Sequence, residues 1–266
     1  MRYIGTQAKG IRLPIINKGD PLAKIVTDHV VDTAKYEGFS LKENDIVAVT
    51  EAIVAKAQGN YATLDQVASD IRQKYPSGQV GVVFPILSRN RFFNILKSIV
   101  LGAKEVFVLL SYPADEVGNP IMDIQQVDEI TDSLKDLPPG PIPANKFRGV
   151  AGNFKHPFTG VDYIDLYESA GTKVYLSTDP RDILQLTPHV LVADIHSRFL
   201  TQRRLKKDGA KTVYALSDIL NKSVEGSGFN PDYGIIGSNI STTDSLKLFP
   251  RDCDNFVLEL QKELEA

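Results

Sequence analysis

Four residue types that bind metals and phosphates stand within five positions of this chain: Asp194, His196, Ser197 and Arg198, directly after the apolar run VLVA at 190–193. A carboxylate is a hard oxygen ligand for magnesium or manganese. An imidazole suits a metal or a phosphate, and a guanidinium can bracket a phosphate through two parallel N–H bonds. His196 also has a plainer reading, a half-buried imidazole satisfied inside the protein. A second pair of carboxylates, Asp162 and Asp165, is spaced to lie near one face of a helix and could hold the same class of cation. The competing reading makes Asp162 a helix N-cap and Asp165 a first-turn acid favoured by the helix dipole. Phosphate binders could also come from Ser88, Arg89 and Arg91, or from the amides around Gly226 and Gly228. No G-x-x-x-x-G-K-[ST] occurs, nor G-x-G-x-x-G, G-x-S-x-G or H-E-x-x-H, so a nucleotide site has to be assembled without a P-loop or a Rossmann fingerprint. The basic run Arg203, Arg204, Lys206 and Lys207 reads as a solvated helix face, or as a device that steers an anionic substrate.

These residues need elements to hold them. The stretch DIVAVTEAIVAKAQGN (45–60) reads as a strand at 46–49 buried on both faces, with Thr50 and Glu51 at its C-terminal edge and Lys56 shortly after. The plain alternative is a strand, a linker and an exposed lysine. Residues 80–87 form a second candidate strand, followed by Ser88–Arg91 and a helix over 92–101. Residues 104–110 form a third, ending in SYPADE (111–116). The recurrence of strand, polar ending and helix predicts an α/β architecture with ligand groups at strand ends.

Elsewhere, residues 3–16 read as an edge strand or extended arm, and Asp20 before Pro21 as the N-cap of a helix that Gly38 stops. Thr63-x-x-Gln66 is a capping box for a helix through Lys74. Between 115 and 155 the pattern fades, and the Pro-rich stretch 138–143 reads as a loop or arm. The whole chain, 1–266, is expected to be one domain, with two lobes or a Pro-rich insertion near 136–155. Further on, helices are expected at 162–170, 180–186 and 256–264, strands at 173–176, 190–193 and 212–216, and a Gly-rich loop at 225–239.

With 266 residues, 42% of them hydrophobic, the chain can bury a full core. A formal net charge of −3 argues against nucleic acid as the main partner. Cys253 is the single cysteine, which excludes a disulfide framework and a cysteine-based zinc site. No apolar run is long enough for a membrane span and the opening residues lack a signal-peptide core, so a cytoplasmic protein is expected.

Several segments together resemble the coenzyme F420-0:L-glutamate ligases, the gamma-glutamyl ligases. GIRLPIINKGDPLAKIV (10–26) is similar to that family's leucine–proline arm followed by Gly-Asp and a helix, and DIVAVTEAIVAKAQGN to its hallmark strand, in which a lysine closely precedes an acidic or amide residue and glycine, here Lys56, Gln58 and Gly59. TGVDYID (159–165) and ADIHSR (193–198) resemble its two aspartate-bearing metal segments. The resemblance implies an α/β (α+β) mixed-sheet fold of that ligase type and a ligase that uses GTP and Mg2+ or Mn2+. Such an enzyme activates a small carboxylate as an acyl phosphate and joins it to the amine of L-glutamate. It further implies that Asp162 and Asp194 hold metal, that Lys56 and Arg198 neutralise phosphate charge with Glu51 near the same crevice, and that the protein is a homodimer. The chain departs from the family at Ile195, His196 and Ser197, where the family has a threonine and an Asn-Gly pair. The middle, 85–155, has no clear counterpart. A non-catalytic nucleotide- or anion-binding protein on the same fold, or a ligase for another small acid, are the alternatives.

Overall fold

The computed structural model of the protein describes Gly5, residues 7–137 and residues 139–265. Tyr3, Ile4 and Thr6 of the expected arm, Pro138 of the Pro-rich stretch and Ala266 lie outside the described residues. In chain order the helices are α1 (Leu22–Glu37), α2 (Glu51–Ala57), α3 (Leu64–Lys74), α4 (Phe93–Gly102), α5 (Ile124–Lys135), α6 (Ala144–Ala151), α7 (Tyr163–Glu168), α8 (Arg198–Lys207) and α9 (Cys253–Glu265). The strands are β1 (Tyr61–Thr63), β2 (Gln79–Val83), β3 (Glu105–Ser111), β4 (Ile142–Pro143), β5 (Lys173–Ser177), β6 (His189–Val192), β7 (Thr212–Ala215), β8 (Asn239–Thr242) and β9 (Ser245–Lys247). The chain divides into two compact units, residues 61–248 and the two terminal segments 1–60 and 249–266.

The central unit is built on a six-stranded sheet in the order β4-β5-β3-β2-β6-β7, parallel except for the short edge strand β4. Among the parallel strands, chain order runs third, second, first, fourth, fifth across the sheet. That is the doubly wound arrangement, whose strand order reverses between β2 and β6. Both faces are covered, which is why these strands read as continuous apolar runs rather than as alternations. Val80, Val82, Val106, Val108 and Leu110 enter one core with α3, α4 and α7. Val83, Phe107, Leu109, Val190 and Val192 enter a second with Leu205 of α8 and Ile183. Gly81 lies where a Cβ would come within 2.5 Å of Ile183 Cγ1, so no side chain fits at that point. A small antiparallel sheet, β1-β9-β8, completes the unit.

Most expected elements of this unit appear, with shifted ends. Thr63 and Gln66 form the expected capping box on α3. The expected strand at 80–87 ends at Val83, because Phe84 turns the backbone at φ 52° and Pro85 follows. The fading region 115–155 holds two helices that periodicity missed. One of them, α5, opens with a capping box between Asp123 and Gln126. Ile142 and Pro143 of the Pro-rich stretch pair antiparallel with Leu176 and Tyr175 at the sheet edge, a place that tolerates proline.

The terminal unit packs Leu22, Val26 and Val30 of α1 against Val54 of α2 and Leu260 of α9. Gly38 at φ 68° closes α1 as expected. Asp20 is not its cap: the position before the first turn is Pro21, and the Asp20 carboxylate accepts the Asn17 N–H instead. The larger correction concerns 46–49. These residues form no strand and carry no ladder, and Ile46 is 92% exposed. Val47 and Val49 alone of that run turn toward the apolar cluster. A run flanked on one side by core and on the other by solvent is half-buried, so the reading as a doubly covered strand fails. Thr50 and Glu51 accordingly lie at the start of α2 rather than at a strand end.

Candidate functional site

The end of β2, the end of β6 and the loop after β3 meet at the reversal of strand order. Ligands in open α/β sheets bind outside the carboxyl ends of the strands at such a point. Asp194 stands two positions after the last residue of β6, and Arg198 opens α8. The intervening amides have no helical partners of their own, as at any helix start.

One carboxylate fills that position. Glu116, from the loop after β3, accepts N–H bonds from Ile195 and from His196 (3.1 Å to each oxygen). It also accepts from the Ser197 N–H at 3.3 Å and the Ser197 hydroxyl at 3.0 Å. Consecutive amides converging on one anion form a nest, and the helix dipole of α8 adds to its positive potential. The loop is held in place by Asp115. Its carboxylate accepts from Leu87 N–H at 2.8 Å, tying the loop after β3 to the loop after β2. Val117 and Asn119 supply three further donors to the same carboxylate. Tyr167 fixes the other side: its hydroxyl donates to Ile86 O at 2.8 Å and accepts from Ser88 N–H at 3.3 Å.

Asp194 is 2% exposed. One of its oxygens accepts the Thr201 hydroxyl at 2.7 Å, and the other, Oδ1, is buried without a partner. Burial raises its pKa most; the Thr201 bond opposes this, the nearby Glu116 charge raises it by a lesser amount, and the Ser197 hydroxyl opposes it slightly. A buried carboxylate oxygen left unpaired is costly and rare in folded proteins. The Arg198 guanidinium donates to Ile195 O and lies 4.4 Å from the Phe199 ring centre, with its Nε buried and unpaired. His196 is largely exposed, its Nδ1 3.8 Å from Glu116 Oε1. A small cleft beside this group is lined by Ile86, Arg91, Ile195 and Ser238 among others. The Ser238 hydroxyl is buried there without a partner.

Within the central unit the expected site residues do not all gather at one point. Asp194, His196, Arg198, Ser88 and Arg91 gather at the reversal of strand order, where Arg89 is carried on the same exposed loop. Asp162 caps α7, accepting from the Ile164 and Asp165 N–H groups at 3.0 Å each, and pairs with Arg148 at 2.9 Å. Arg148 also bonds Asp165 at 2.6 Å. The helix-cap reading of Asp162 thus describes its contacts. The Gly228 N–H is spent on Tyr61 O at 2.7 Å, while Gly226 sits at φ 75° in an exposed turn. Glu51 opens α2 in the terminal unit and Lys56 lies in its last turn. Among the described residues, no three histidine, cysteine, aspartate or glutamate side chains cluster as a metal site.

Sequence reasoning passed over Glu116, Asp115, Tyr167 and Ser238. Glu116 was visible only as the last residue of a polar strand ending, because its partners lie 79 to 81 positions away. Tyr167 carried no signal apart from its place on a helix.

Among the described residues no helix is long and apolar enough to cross a membrane. No curated protein and no solved structure matches the chain. The model of one family, F420-0:gamma-glutamyl ligase, matches residues 10–266.

Proposed function

The chain belongs to the F420-0:gamma-glutamyl ligase family and is by that membership a ligase, and from this premise we propose that it joins L-glutamate to a small carboxylate acceptor through an acyl phosphate made with GTP. The observation that carries the nucleotide part of this reading is the nest at Ile195, His196 and Ser197, which already holds an anion at the reversal of strand order. Backbone N–H groups and a helix start suit the oxygens of a phosphate as well as those of a carboxylate. Phosphoryl transfer needs positioning and charge neutralisation more than covalent chemistry. Arg198 and Arg91 are the cations of this unit placed to supply it.

Magnesium or manganese is part of the proposal. A divalent cation of this kind is commonly held by one or two carboxylates plus substrate phosphates, not by a dedicated protein cage. The unpaired Asp194 Oδ1 fits that description, with Glu116 as its acidic neighbour. The oxygens of Asp162 are already engaged by amides and Arg148. When bound, the cation would neutralise phosphate charge. Asp194 then offers an oxygen, the nest orients the anion, and the apolar cleft around Ile86 and Ile195 excludes water. Lys56 and Glu51 enter the proposal from the family resemblance of α2, as does the homodimer.

The test is calorimetric titration of GTP and ATP, with and without magnesium or manganese, into the wild type and Asp194→Ala. Metal-dependent GTP binding that the variant loses supports the site. Equal binding by both proteins places the nucleotide elsewhere.

A further inference from the structure

Beneath α5 lies a cavity of about 340 Å³, walled by Tyr112, Met122, Val127, Ile130, Leu134 and Phe147. Protein interiors are close-packed, and voids much larger than a water molecule are few. This cavity arises because α5 is amphipathic yet loosely seated: among its described side chains only Ile130 is buried, while Val127 and Leu134 are partly buried against the core. The facing wall is aromatic. Tyr112 and Phe147 lie 5.3 Å apart, ring centre to ring centre, at 58°.

The position matters as much as the shape. Tyr112 follows β3 directly, so the cavity opens at the carboxyl edge of the sheet, where doubly wound folds place their ligands. Pro113, which also lines it, is three residues from Glu116 in the nest, hence at most about 11 Å along the chain. The volume sits at the lower end of the roughly 300–1,000 Å³ typical of small-molecule sites.

The chemistry of the lining narrows the occupant. Lys135 is the one charged group among the lining residues. Its ion pair with Asp132 at 2.7 Å joins two side chains that are 69% and 94% exposed. A solvated pair of that kind holds its partners weakly, which leaves the ammonium available to another anion. The Thr131 hydroxyl is spent on Val127 O at 2.7 Å. The wall therefore offers apolar contact, aromatic faces and one cation.

We infer that this cavity is the acceptor subsite, and that it takes a small acid: an apolar ring or short chain carrying an anionic group that Lys135 reads. The inference rests on the ligase reading for the word acceptor, but the binding itself does not depend on nucleotide.

The experiment titrates 3-phenylpropanoate and 3-phenylpropan-1-ol into the full chain without nucleotide. The wild type is to be compared with Val127→Phe, which fills the cavity, with Thr131→Trp from the rim, and with Lys135→Gln. Binding of the acid in preference to the alcohol is expected. Either filling variant weakens it at least tenfold, and Lys135→Gln lowers acid affinity severalfold while leaving the alcohol unchanged. Thermal melting shows which filling variant retains the fold, and the rim position serves if the inner one unfolds. Absence of acid binding to the wild type overturns the inference, as does binding indifferent to a folded filling variant or equal for acid and alcohol. Failure of the ligase reading would show separately, as no phosphate release from GTP by a protein that still binds the acid.

Discussion

Glu116 and Ser197, 81 positions apart in the chain, are joined twice: the carboxylate accepts both the backbone N–H and the side-chain hydroxyl of the serine. The loop after β3 is thereby clamped to the start of α8, and a negative charge is held where a substrate anion would be received. Site and scaffold share these contacts, so altering them has two separable effects.

Replacing Glu116 by glutamine removes the charge and keeps the shape. The favourable interaction of an acid with a helix N-terminus, about 0.3–1 kcal/mol and up to about 2 in partly buried settings, is lost. Thermal denaturation should report a loss of that order. In the same protein the nest becomes more attractive to outside anions, and calorimetric titration with inorganic diphosphate should give an affinity several times that of the wild type. Unchanged diphosphate binding would mean that the nest serves only to anchor the loop.

Asp194→Asn should move stability in the opposite direction. The carboxyl is raised above its ordinary pKa by burial, so the folded state holds its proton to higher pH than the unfolded state does. Between the unfolded and the folded pKa the native protein binds more protons, and stability falls as pH rises through that window. Above it the cost is constant. The asparagine keeps an acceptor for Thr201 and removes the cost. The variant is therefore expected to melt higher than the wild type at pH 7, to gain little near pH 3, and to lose metal-dependent nucleotide binding. A variant that melts lower at pH 7 would contradict this account.

Tyr167→Phe deletes one oxygen that serves both Ile86 and Ser88. A buried polar group left without its partner costs about 1–3 kcal/mol, and denaturant unfolding should show a loss in that range. The loop after β2 also loses its tether. Hydrogen exchange at Leu87 and Ser88 should accelerate more than at β2 itself; uniform acceleration would assign Tyr167 to general packing instead.

Asp162→Ala separates a cap from a metal ligand. Loss of an N-cap aspartate costs about 0.5–2 kcal/mol, and the Arg148 contact goes with it. Lower stability with unaltered metal-dependent GTP binding is the expected result. Intact stability with lost metal dependence would restore Asp162 to the cation.

Where the causes were local, the sequence was sufficient. The Thr63 and Gln66 capping box, the Gly38 stop and the apolar strands at 105–111 and 189–192 follow from propensity and spacing, and each is found within a residue or two of its expected place. The cluster from Asp194 to Arg198 was legible for the same reason, as polar residues delivered together by one strand. Asp162 shows the limit of that method. Its type and spacing fit a cap and a ligand equally, and only Arg148 and the amides of α7 in space distinguish them. For 46–49, composition alone could not separate a strand buried on two faces from an irregular segment buried on one, because burial belongs to the neighbours and not to the run. The nest, its Glu116 occupant and the unpaired Asp194 oxygen exist only through the order of strands in the sheet. Adjacency of β2, β3 and β6 brings together loops far apart in sequence, and no local pattern encodes which carboxylate will meet which amides.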